Sequence, residues 1–227
     1  MNPSYPAPVR ARMEAGYRCF NAVLKALAQV APDRVIAGGN DATLVTSLSR
    51  QEQGKYKVYL EVYGGGFGAS PRKDGCDAVD SPLSNCTNTP VEATDMDFDH
   101  FRIVGYGLLQ DSAGAGRHRG GLGFYRSFEI LKDDVNFAMY ADRFRVAPYG
   151  LFGGSDGRPG SGEILRDGKI IPLKSKDSRQ LQKGDVVTIY TAGGGGYGPP
   201  GERKRADIDY DVRHGYVSED ASRATYG

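Results

Sequence analysis

Residues 162–173 read GEILRDGKIIPL, and this stretch decides the fold class of the chain. Two runs of β-type composition meet there at Asp167 and Gly168, and an Asp-Gly pair at such a junction signals a hairpin. A second β-type run, Asp185–Thr191 (DVVTIYT), follows the turn LQKG. The pattern therefore predicts antiparallel strands in the C-terminal half of the chain.

Outward from the hairpin, more short β-type runs recur between glycine-rich turns. No regular helical pattern separates them, which argues against alternating strands and helices and favours an antiparallel sheet. We therefore predict an α+β fold with mainly antiparallel, turn-rich β structure and an N-terminal amphipathic helix. The further runs are Tyr56–Tyr63, Phe101–Leu109, Phe124–Leu131 and Asn136–Tyr140.

The N-terminal helix is predicted over residues 7–30. Pro8 suits a first helical turn, and Pro32 ends the helix soon after Val30. The helix carries an apolar stripe that must dock on another surface, either the chain's own sheet or a partner protein. Apolar residues recur every three or four positions along this face, at Val9, Met13, Tyr17, Phe20, Leu24 and Leu27.

The chain is predicted to form a single domain over residues 1–227, because no polar linker divides it. Within that domain we expect the helix at 7–30, β-rich structure over 55–198 and a C-terminal tail over 199–227. Residues 207–226 of the tail are predicted to contain a short helix.

Composition excludes several classes of function. Lys and Arg number 29 and Asp and Glu 28, and this balance disfavours a nucleic-acid or anionic-membrane partner. No apolar run is long enough to span a membrane. Three cysteines, Cys19, Cys76 and Cys86, are too few for a disulfide scaffold, so we expect a reducing, cytoplasmic location. Glycine is abundant, at 32 of 227 residues, and together with 12 prolines it predicts many tight turns.

The glycine clusters do not encode a nucleotide site. Gly193, Gly195 and Gly198 match a dinucleotide fingerprint, but Pro199 and Pro200 prevent the helix that such a site requires. No P-loop sequence occurs, and the three histidines lie far apart, so this chain alone is expected to bind neither ATP nor a metal. The cluster at 64–68 either lets a ligand approach the backbone or ends a strand.

Two polar segments contain candidate functional groups. Arg117 and Arg119 flank a histidine in a glycine-rich turn, where they could bind a carboxylate or phosphate, or pair with nearby carboxylates to hold the loop. Asp74, Asp77 and Glu92 are candidate acid–base groups in segments rich in short polar side chains. The same side chains could instead bond their own backbone in Asx and Ser/Thr turns.

The order of the motifs resembles the C-terminal half of the hydantoinase B/5-oxoprolinase family, which also includes B-type subunits of ATP-dependent ketone carboxylases. The resemblance covers nearly the whole chain. The matching blocks are GGGFGASPRKDGCDAV (64–79), NCTNTPVE (85–92), LLQDSAGAGRHRGGLG (108–123), DRFRVAPYGLFGG (142–154), GDVVTIYTAGGGGYGPP (184–200) and DYDVRHGYVSEDASRATYG (209–227).

The resemblance implies a component of a multi-subunit enzyme that is inactive by itself. An A-type subunit of actin-like ATPase fold would hold ATP and Mg²⁺, and a carbonyl oxygen of the substrate would be phosphorylated. The implied reaction is hydrolysis of a cyclic amide, such as a hydantoin, 5-oxoproline or another lactam. The alternatives are a ketone carboxylase of acetone or acetophenone type, and a non-catalytic scaffold subunit.

Family members usually carry an N-terminal half in the same chain. This chain is therefore expected to be either a separately encoded small subunit or the C-terminal part of a divided protein. The N-terminal half would be a separate chain and a partner, and the resemblance implies that any divalent metal lies in that half. Carried over by position, it assigns catalytic roles to Asn88, Thr89, Arg117 and Arg119. It also assigns substrate-binding roles to Gly64, Gly65, Gly66, Gly68, Asp74, Asn85 and Glu92.

Overall fold

A computed structural model describes residues 13–41, 44–79 and 90–227, and these residues form an α+β fold as predicted. The helices are α1 (Met13–Leu27), α2 (Val91–Asp97), α3 (Arg205–Arg213) and α4 (Glu219–Tyr226), with short 3₁₀ turns at Pro32–Arg34 and Pro200–Glu202. The strands are β1 (Leu44–Glu52), β2 (Lys55–Tyr63), β3 (Phe101–Leu108), β4 (Phe124–Ile130), β5 (Val135–Tyr140), β6 (Ser161–Arg166), β7 (Lys169–Pro172), β8 (Lys176–Leu181) and β9 (Val186–Tyr190).

The strands form two antiparallel sheets. One sheet has the order β2-β1-β5-β8, and the other has the order β3-β4-β9-β6-β7. The predicted hairpin is confirmed, since β6 pairs with β7 and its tip places Asp167 at φ 49° and Gly168 at φ 72°. Positive φ at both positions is the geometry that favours Asp-Gly in such a turn.

The hydrophobic core lies between the two sheets. Leu48 and Phe137 of the first sheet belong to the same buried cluster as Phe128 and Val187 of the second. The ring of Tyr59 connects the layers, with its centroid 5.0 Å from that of Phe101. Alternate residues of β4 are buried, as expected for a strand with one face against the core.

Beside the sheets, extended segments without helix or strand geometry run together in what we call the glycine bundle. Hydrogen bonds join one segment to several others: Gly195 N donates to Gly38 O at 2.7 Å, and Ala69 N donates to Gly195 O at 2.9 Å. A Cβ atom on Gly66 would lie 2.0 Å from Gly121 O, which no side chain tolerates. The bundle comprises residues 37–40, 64–69, 74–78, 112–123, 148–158 and 192–198.

The glycine bundle gives the abundant glycines a different role from the one that the sequence predicted. Many glycines were expected in tight turns, but those of the bundle allow backbones to pack against one another without side chains between them. Gly194 is a second example, since a Cβ there would lie 2.1 Å from Phe67 O. Glycine is needed at these positions because segments of the backbone approach each other closely, not because the chain reverses its direction there.

Several predicted boundaries differ in the structure. Helix α1 ends at Leu27 rather than at residue 30, and residues 7–12 of the predicted helix lie outside the described residues. Strand β1 begins at Leu44, so β structure starts before residue 55. The tail forms two helices, α3 and α4, rather than one. Strands β1 and β8 and helix α2 were not predicted, because their polar sequences (LVTSLSRQE, KDSRQL and VEATDMD) show no clear period.

Helix α1 docks on the chain's own loop. Tyr17 is 1% exposed, and the hydroxyl of Tyr149 donates a hydrogen bond to Asn21 O at 3.0 Å. The predicted apolar stripe is only partly covered, because Leu27 remains 44% exposed. The contact therefore lies on the side of the helix that carries Tyr17 and Asn21.

Candidate functional site

The predicted glycine site at residues 64–68 lies in the glycine bundle. Gly65, Gly66 and Gly68 are buried there. Gly66 N donates to Ala192 O at 2.9 Å, and Gly66 O accepts from Asn40 N at 2.8 Å. The backbone groups of Gly66 are thus bonded within the chain, and Gly64 O accepts from the side chain of Asn40.

Arg119 is the centre of a set of paired charges that we call the aspartate–arginine cluster, formed by Asp74, Asp77, Arg119, Arg203 and Asp211. Arg119 Nη1 lies 2.9 Å from Asp77 Oδ1, and its Nε lies 3.1 Å from Asp211 Oδ1. The residue is 5% exposed. Its guanidinium therefore bonds to two carboxylates of its own chain.

Arg203 binds the third carboxylate of the aspartate–arginine cluster, Asp74, and shares Asp211 with Arg119. Its Nη1 and Nη2 donate to the two oxygens of Asp74 at 2.8 and 2.7 Å, and Nη2 also donates to Asp211 Oδ2 at 2.7 Å. Burial acts to raise the pKa of Asp74, but hydrogen bonds and charge from Arg203 outweigh it, so the pKa lies below its ordinary value. The bidentate geometry is the strongest form of this ion pair.

The aspartate–arginine cluster joins parts of the chain that are distant in sequence. Asp74 also accepts from the backbone N of Arg119 at 2.9 Å, and Asp77 accepts from Leu122 N at 2.7 Å. Asp211 belongs to α3. The cluster thus fixes residues 117–122 to the segment 74–77 and to the C-terminal tail. Of the two alternatives for Arg119, the pairing with nearby carboxylates is the one that the contacts describe.

Arg117 differs from Arg119 in its exposure. Its side chain is 40% exposed, and its Nη1 lies 3.2 Å from Oε2 of Glu202, which is 53% exposed. Between the two arginines, His118 Nδ1 lies 3.6 Å from Asp74 Oδ1. Arg117 is therefore the member of the pair whose guanidinium solvent and ligands can reach.

The remaining predicted residues do not join this cluster among the described residues. Glu92 lies exposed in the first turn of α2. Asn85, Asn88 and Thr89 lie outside the described residues. Their proximity to the cluster stays a prediction.

The sequence analysis missed a cavity of about 470 Å³ between α1 and the loop that follows β5. We call it the basic cavity, because five of its lining residues are basic and one is acidic. Its lining residues are Arg18, Asn21, Ala22, Lys25, Ala141, Asp142, Arg143, Phe144, Arg145, Val146, Tyr149, Ser175 and Lys176.

Two guanidinium groups converge at the basic cavity. Arg143 Nε and Arg18 Nη2 both donate to Asn40 O at 3.3 Å, and Arg18 Nη2 also donates to Asp41 O. Burial, together with the charge of Arg18, lowers the pKa of Arg143 to about 10. Burial also raises the pKa of Asp41, although Arg143 and Arg18 oppose this effect.

The signal for the basic cavity was present in the sequence but incomplete. Arg143 and Arg145 stand in the quoted block DRFRVAPYGLFGG, yet Arg18 and Lys25 belong to the predicted N-terminal helix. Nothing in the spacing indicates that the helix and the loop meet. Only the docking of α1 brings these charges to one site.

The described residues do not fit a metal site. Within residues 13–41, 44–79 and 90–227, no three His, Cys, Asp or Glu side chains lie together as metal ligands would. The carboxylates of the aspartate–arginine cluster are paired with guanidinium groups instead. In the same residues, no helix has both the length and the apolar character required to cross a membrane.

Fold and site together define a class: an α+β protein of two antiparallel sheets and a glycine bundle, which bears a buried ion cluster and a basic cavity. The chain belongs to the hydantoinase B/oxoprolinase family, whose sequence profile matches residues 1–200. The resemblance seen in the order of the motifs is thereby confirmed.

Individual relatives agree with this membership. The chain is 35% identical, over its full length, to a protein of Pseudomonas sp. strain NS671 provisionally named as the B-type subunit of a D-/L-hydantoinase, and it spans 38% of that relative's length. The crystal structure of the ATP-dependent caprolactamase from Pseudomonas jessenii matches the whole chain at a TM-score of 0.80 and 28% identity, with 41% of that chain covered.

A nucleotide-free acetone carboxylase structure shares the fold. It matches 88% of this chain and 31% of its own at a TM-score of 0.71, with 18% sequence identity. At this identity the match describes architecture alone. The two-sheet arrangement is thus common to proteins with different reactions in their names.

Proposed function

We propose that this chain is a subunit of an ATP-dependent enzyme that hydrolyses a cyclic amide, such as a hydantoin, 5-oxoproline or another lactam. The observation that carries the proposal is full-length similarity to a chain named as a hydantoinase subunit and to an ATP-dependent caprolactamase. Both names refer to the opening of a cyclic amide or imide, and the family match covers residues 1–200.

The chemistry explains why such an enzyme needs ATP. An unstrained amide is a poor electrophile, and phosphorylation of its carbonyl oxygen would supply a good leaving group. In this proposal the nucleotide and Mg²⁺ are held by an A-type subunit of actin-like ATPase fold. The present chain would bind and orient the activated substrate.

Arg117 is the residue that we propose to face the substrate from the described part of the chain. Its side chain is 40% exposed, and its loop is anchored by Arg119 two residues later and by Arg203 Nη1, which donates to Arg117 O at 3.3 Å. A guanidinium there would stabilise negative charge on a carboxylate or phosphoryl oxygen. Arg119 would act as a positioning residue, because both its Nε and Nη1 bond to aspartates.

The other proposed contacts come from the resemblance. Asn88 and Thr89 would orient the substrate or its loop, and Asn85, Asp74 and Glu92 would contribute polar contacts. Of the glycines given substrate-binding roles, Gly64 is only half-buried and would line the approach, whereas the buried Gly65, Gly66 and Gly68 would shape the backbone behind it. A partner equivalent to the N-terminal part of the relatives completes the proposal, since this chain spans 38% of the length of the hydantoinase component that it resembles.

The reaction is tested with the complete assembly, purified through a tag on the ATPase subunit. One sample receives ATP and a lactam, and a second receives ATP, acetone and bicarbonate, with phosphate release and product measured in each. We expect ring-opened product from the lactam only when ATP is present. Product only from acetone and bicarbonate would replace this proposal with the carboxylase alternative.

The proposed site residues are tested in the same assembly. We expect Asn88→Ala and Arg117→Ala to lower turnover while the subunits stay associated. Arg102→Ala is a matched control for Arg117, because Arg102 is also exposed and paired, at 2.7 Å from Glu129. If the variants instead prevent the subunits from associating, and those complexes that do form turn over normally, the scaffold alternative is favoured.

A further inference from the structure

The basic cavity is lined by an excess of positively charged residues, although the chain as a whole is nearly neutral. The whole chain carries a formal net charge of +1, yet five of the thirteen residues that line this cavity are basic and only Asp142 is acidic. Asp142 lies 3.7 Å from Arg18 Nε. Asp41 lies close by, and although burial raises its pKa, the charges of Arg143 and Arg18 act to lower it. The cavity is therefore a local positive region in an otherwise balanced molecule.

Arg143 lies at this region with part of its hydrogen-bonding capacity unused. The residue is 7% exposed, and it donates from Nε to Asn40 O and from Nη1 to Ala147 O, each at 3.3 Å. Among the residues that the structure describes, nothing accepts a hydrogen bond from the buried Nη2. A buried guanidinium nitrogen without a partner is costly, and native structures seldom leave one.

The backbone at Arg143 also shows that its position is imposed. Its φ of 62° is left-handed, a conformation that a long side chain rarely adopts. Strain of this kind persists only where surrounding structure maintains it, and it concentrates at binding sites. Arg18 approaches the same carbonyl oxygen from α1, so two like charges are held together. An anion between them would relieve their repulsion.

We propose that the basic cavity is a binding site for a small oxyanion, a carboxylate or phosphate group held by Arg143 with Arg18. The guanidinium fork matches both groups, and Lys25 and Lys176 add charge at the edge of the cavity. Lys25 is placed over the ring of Tyr149 at 5.0 Å, so its ammonium is oriented toward the site. The volume of about 470 Å³ suits a small organic acid or a phosphate rather than a macromolecule.

This site is separate from the aspartate–arginine cluster and needs neither ATP nor a partner. It is tested on the purified full chain by isothermal titration calorimetry at low salt with three ligands: inorganic phosphate, 5-oxoproline and caprolactam. We expect saturable binding of phosphate or 5-oxoproline, and none of caprolactam, which is an uncharged lactam. Binding of phosphate alone assigns the site to a phosphoryl group, and binding of 5-oxoproline alone assigns it to a carboxylate.

Variants identify the cavity as the place of binding. We expect Arg143→Met to weaken binding by about tenfold or more, because the charge-assisted hydrogen bond from Nη2 and the charge of the guanidinium are lost. Lys176→Met, an exposed position at the edge, should weaken it by about twofold to fivefold and remains informative if the first variant fails to fold. The matched control Lys183→Met lies exposed outside the cavity and should bind like the wild type.

Two results would overturn the proposal. One is the absence of saturable binding for both anions, or equal binding of caprolactam. The other is unchanged affinity in folded Arg143→Met and in Lys176→Met. Because no nucleotide or second protein is present, these results leave the proposed hydrolase activity to its own test.

Discussion

At the scale of single residues, the two arginines of the motif RHR divide into an exposed group and a buried one. Arg119 is enclosed by aspartates, whereas Arg117 faces solvent beside Glu202. On an extended chain, residues two positions apart lie on the same face, so backbone alternation alone would not give Arg117 and Arg119 different exposures. The difference comes from their surroundings, because the segment 74–77 and α3 cover Arg119. A motif that reads as one basic unit therefore has two distinct physical roles.

Removal of Arg119 is expected to destabilise the fold severely. In Arg119→Met, the part-exposed Asp77 loses its cation and the buried Asp211 keeps only Arg203, which we expect to cost about 3 kcal/mol of unfolding free energy. The exposed neighbour is the control, and Arg117→Met should cost about 0–1 kcal/mol. Urea unfolding followed by circular dichroism measures both. Equal losses in the two variants would contradict the division between them.

Acid should weaken the aspartate–arginine cluster through Asp74. Its pKa is lowered in the folded chain from the ordinary 3.8, so its carboxylate contributes stability above that value and loses it as the pH falls through the lower folded pKa. We expect wild-type stability to decrease from about pH 5 to about pH 2 more steeply than that of Asp74→Asn. Chemical unfolding across that range makes the comparison. Parallel curves would show that another group dominates acid sensitivity.

At the scale of elements, the glycine bundle explains how a chain with so many glycines packs closely outside its sheets. Glycine lowers the stability of helices and strands. Here it permits close contact of several extended segments, such as 37–40 against 192–198, each hydrogen-bonded to its neighbours. Two of its segments, 74–78 and 112–123, carry Asp74, Arg117 and Arg119, so the bundle fixes the backbone of these residues.

Gly66→Ala tests the packing of the glycine bundle. The new Cβ would lie 2.0 Å from Gly121 O, so the backbones must separate, and we expect a loss of about 3 kcal/mol or more. Gly201 is a matched control, because a Cβ there meets no atom within 4 Å. Gly201→Ala should change the unfolding free energy by less than about 0.5 kcal/mol. Similar melting temperatures for both variants would show that the backbone segments around Gly66 can move apart at little cost in stability.

At the scale of the whole molecule, a buried ion pair connects the two sheets. Glu61 of β2 and Arg126 of β4 form a salt bridge, and the hydroxyl of Tyr59 donates to Glu61 Oε2 at 2.7 Å. The guanidinium of Arg126 also lies 4.3 Å from the centroid of the Tyr106 ring. Burial raises the pKa of Glu61 although Arg126 opposes it. The pair thus links β2 of one sheet to β4 of the other across the buried interior.

Removing one partner of this ion pair should show how strongly Glu61 and Arg126 depend on each other for stability. Arg126→Met leaves Glu61 buried without its cation, and we expect a loss of roughly 3–5 kcal/mol. The double variant Glu61→Gln with Arg126→Met should lose clearly less than the sum of the two single variants. A double-mutant cycle by urea unfolding measures the difference. Additive losses would mean that the two side chains act independently.

The sequence predicted most of the strands because their periodicity is local. Tyr56–Tyr63 and the Asp167–Gly168 hairpin carry their signals within a few residues, and both appear in the structure. Strand β8 escaped prediction because KDSRQL is polar on both faces, and its place is set by pairing with β5. Strand β1 escaped because it lies between two neighbours and is buried without alternation.

The sequence by itself determined the α+β class, the hairpin and the family, since these depend on local composition and on the order of motifs. The tertiary structure alone decided which charges meet. Arg119 joins Asp211 across 92 residues, and Arg18 meets Arg143 across an even longer separation. Such contacts arise when α1, the C-terminal helices and the glycine bundle pack together. No local pattern encodes them, because long-range packing and the burial of charge are properties of the assembled core.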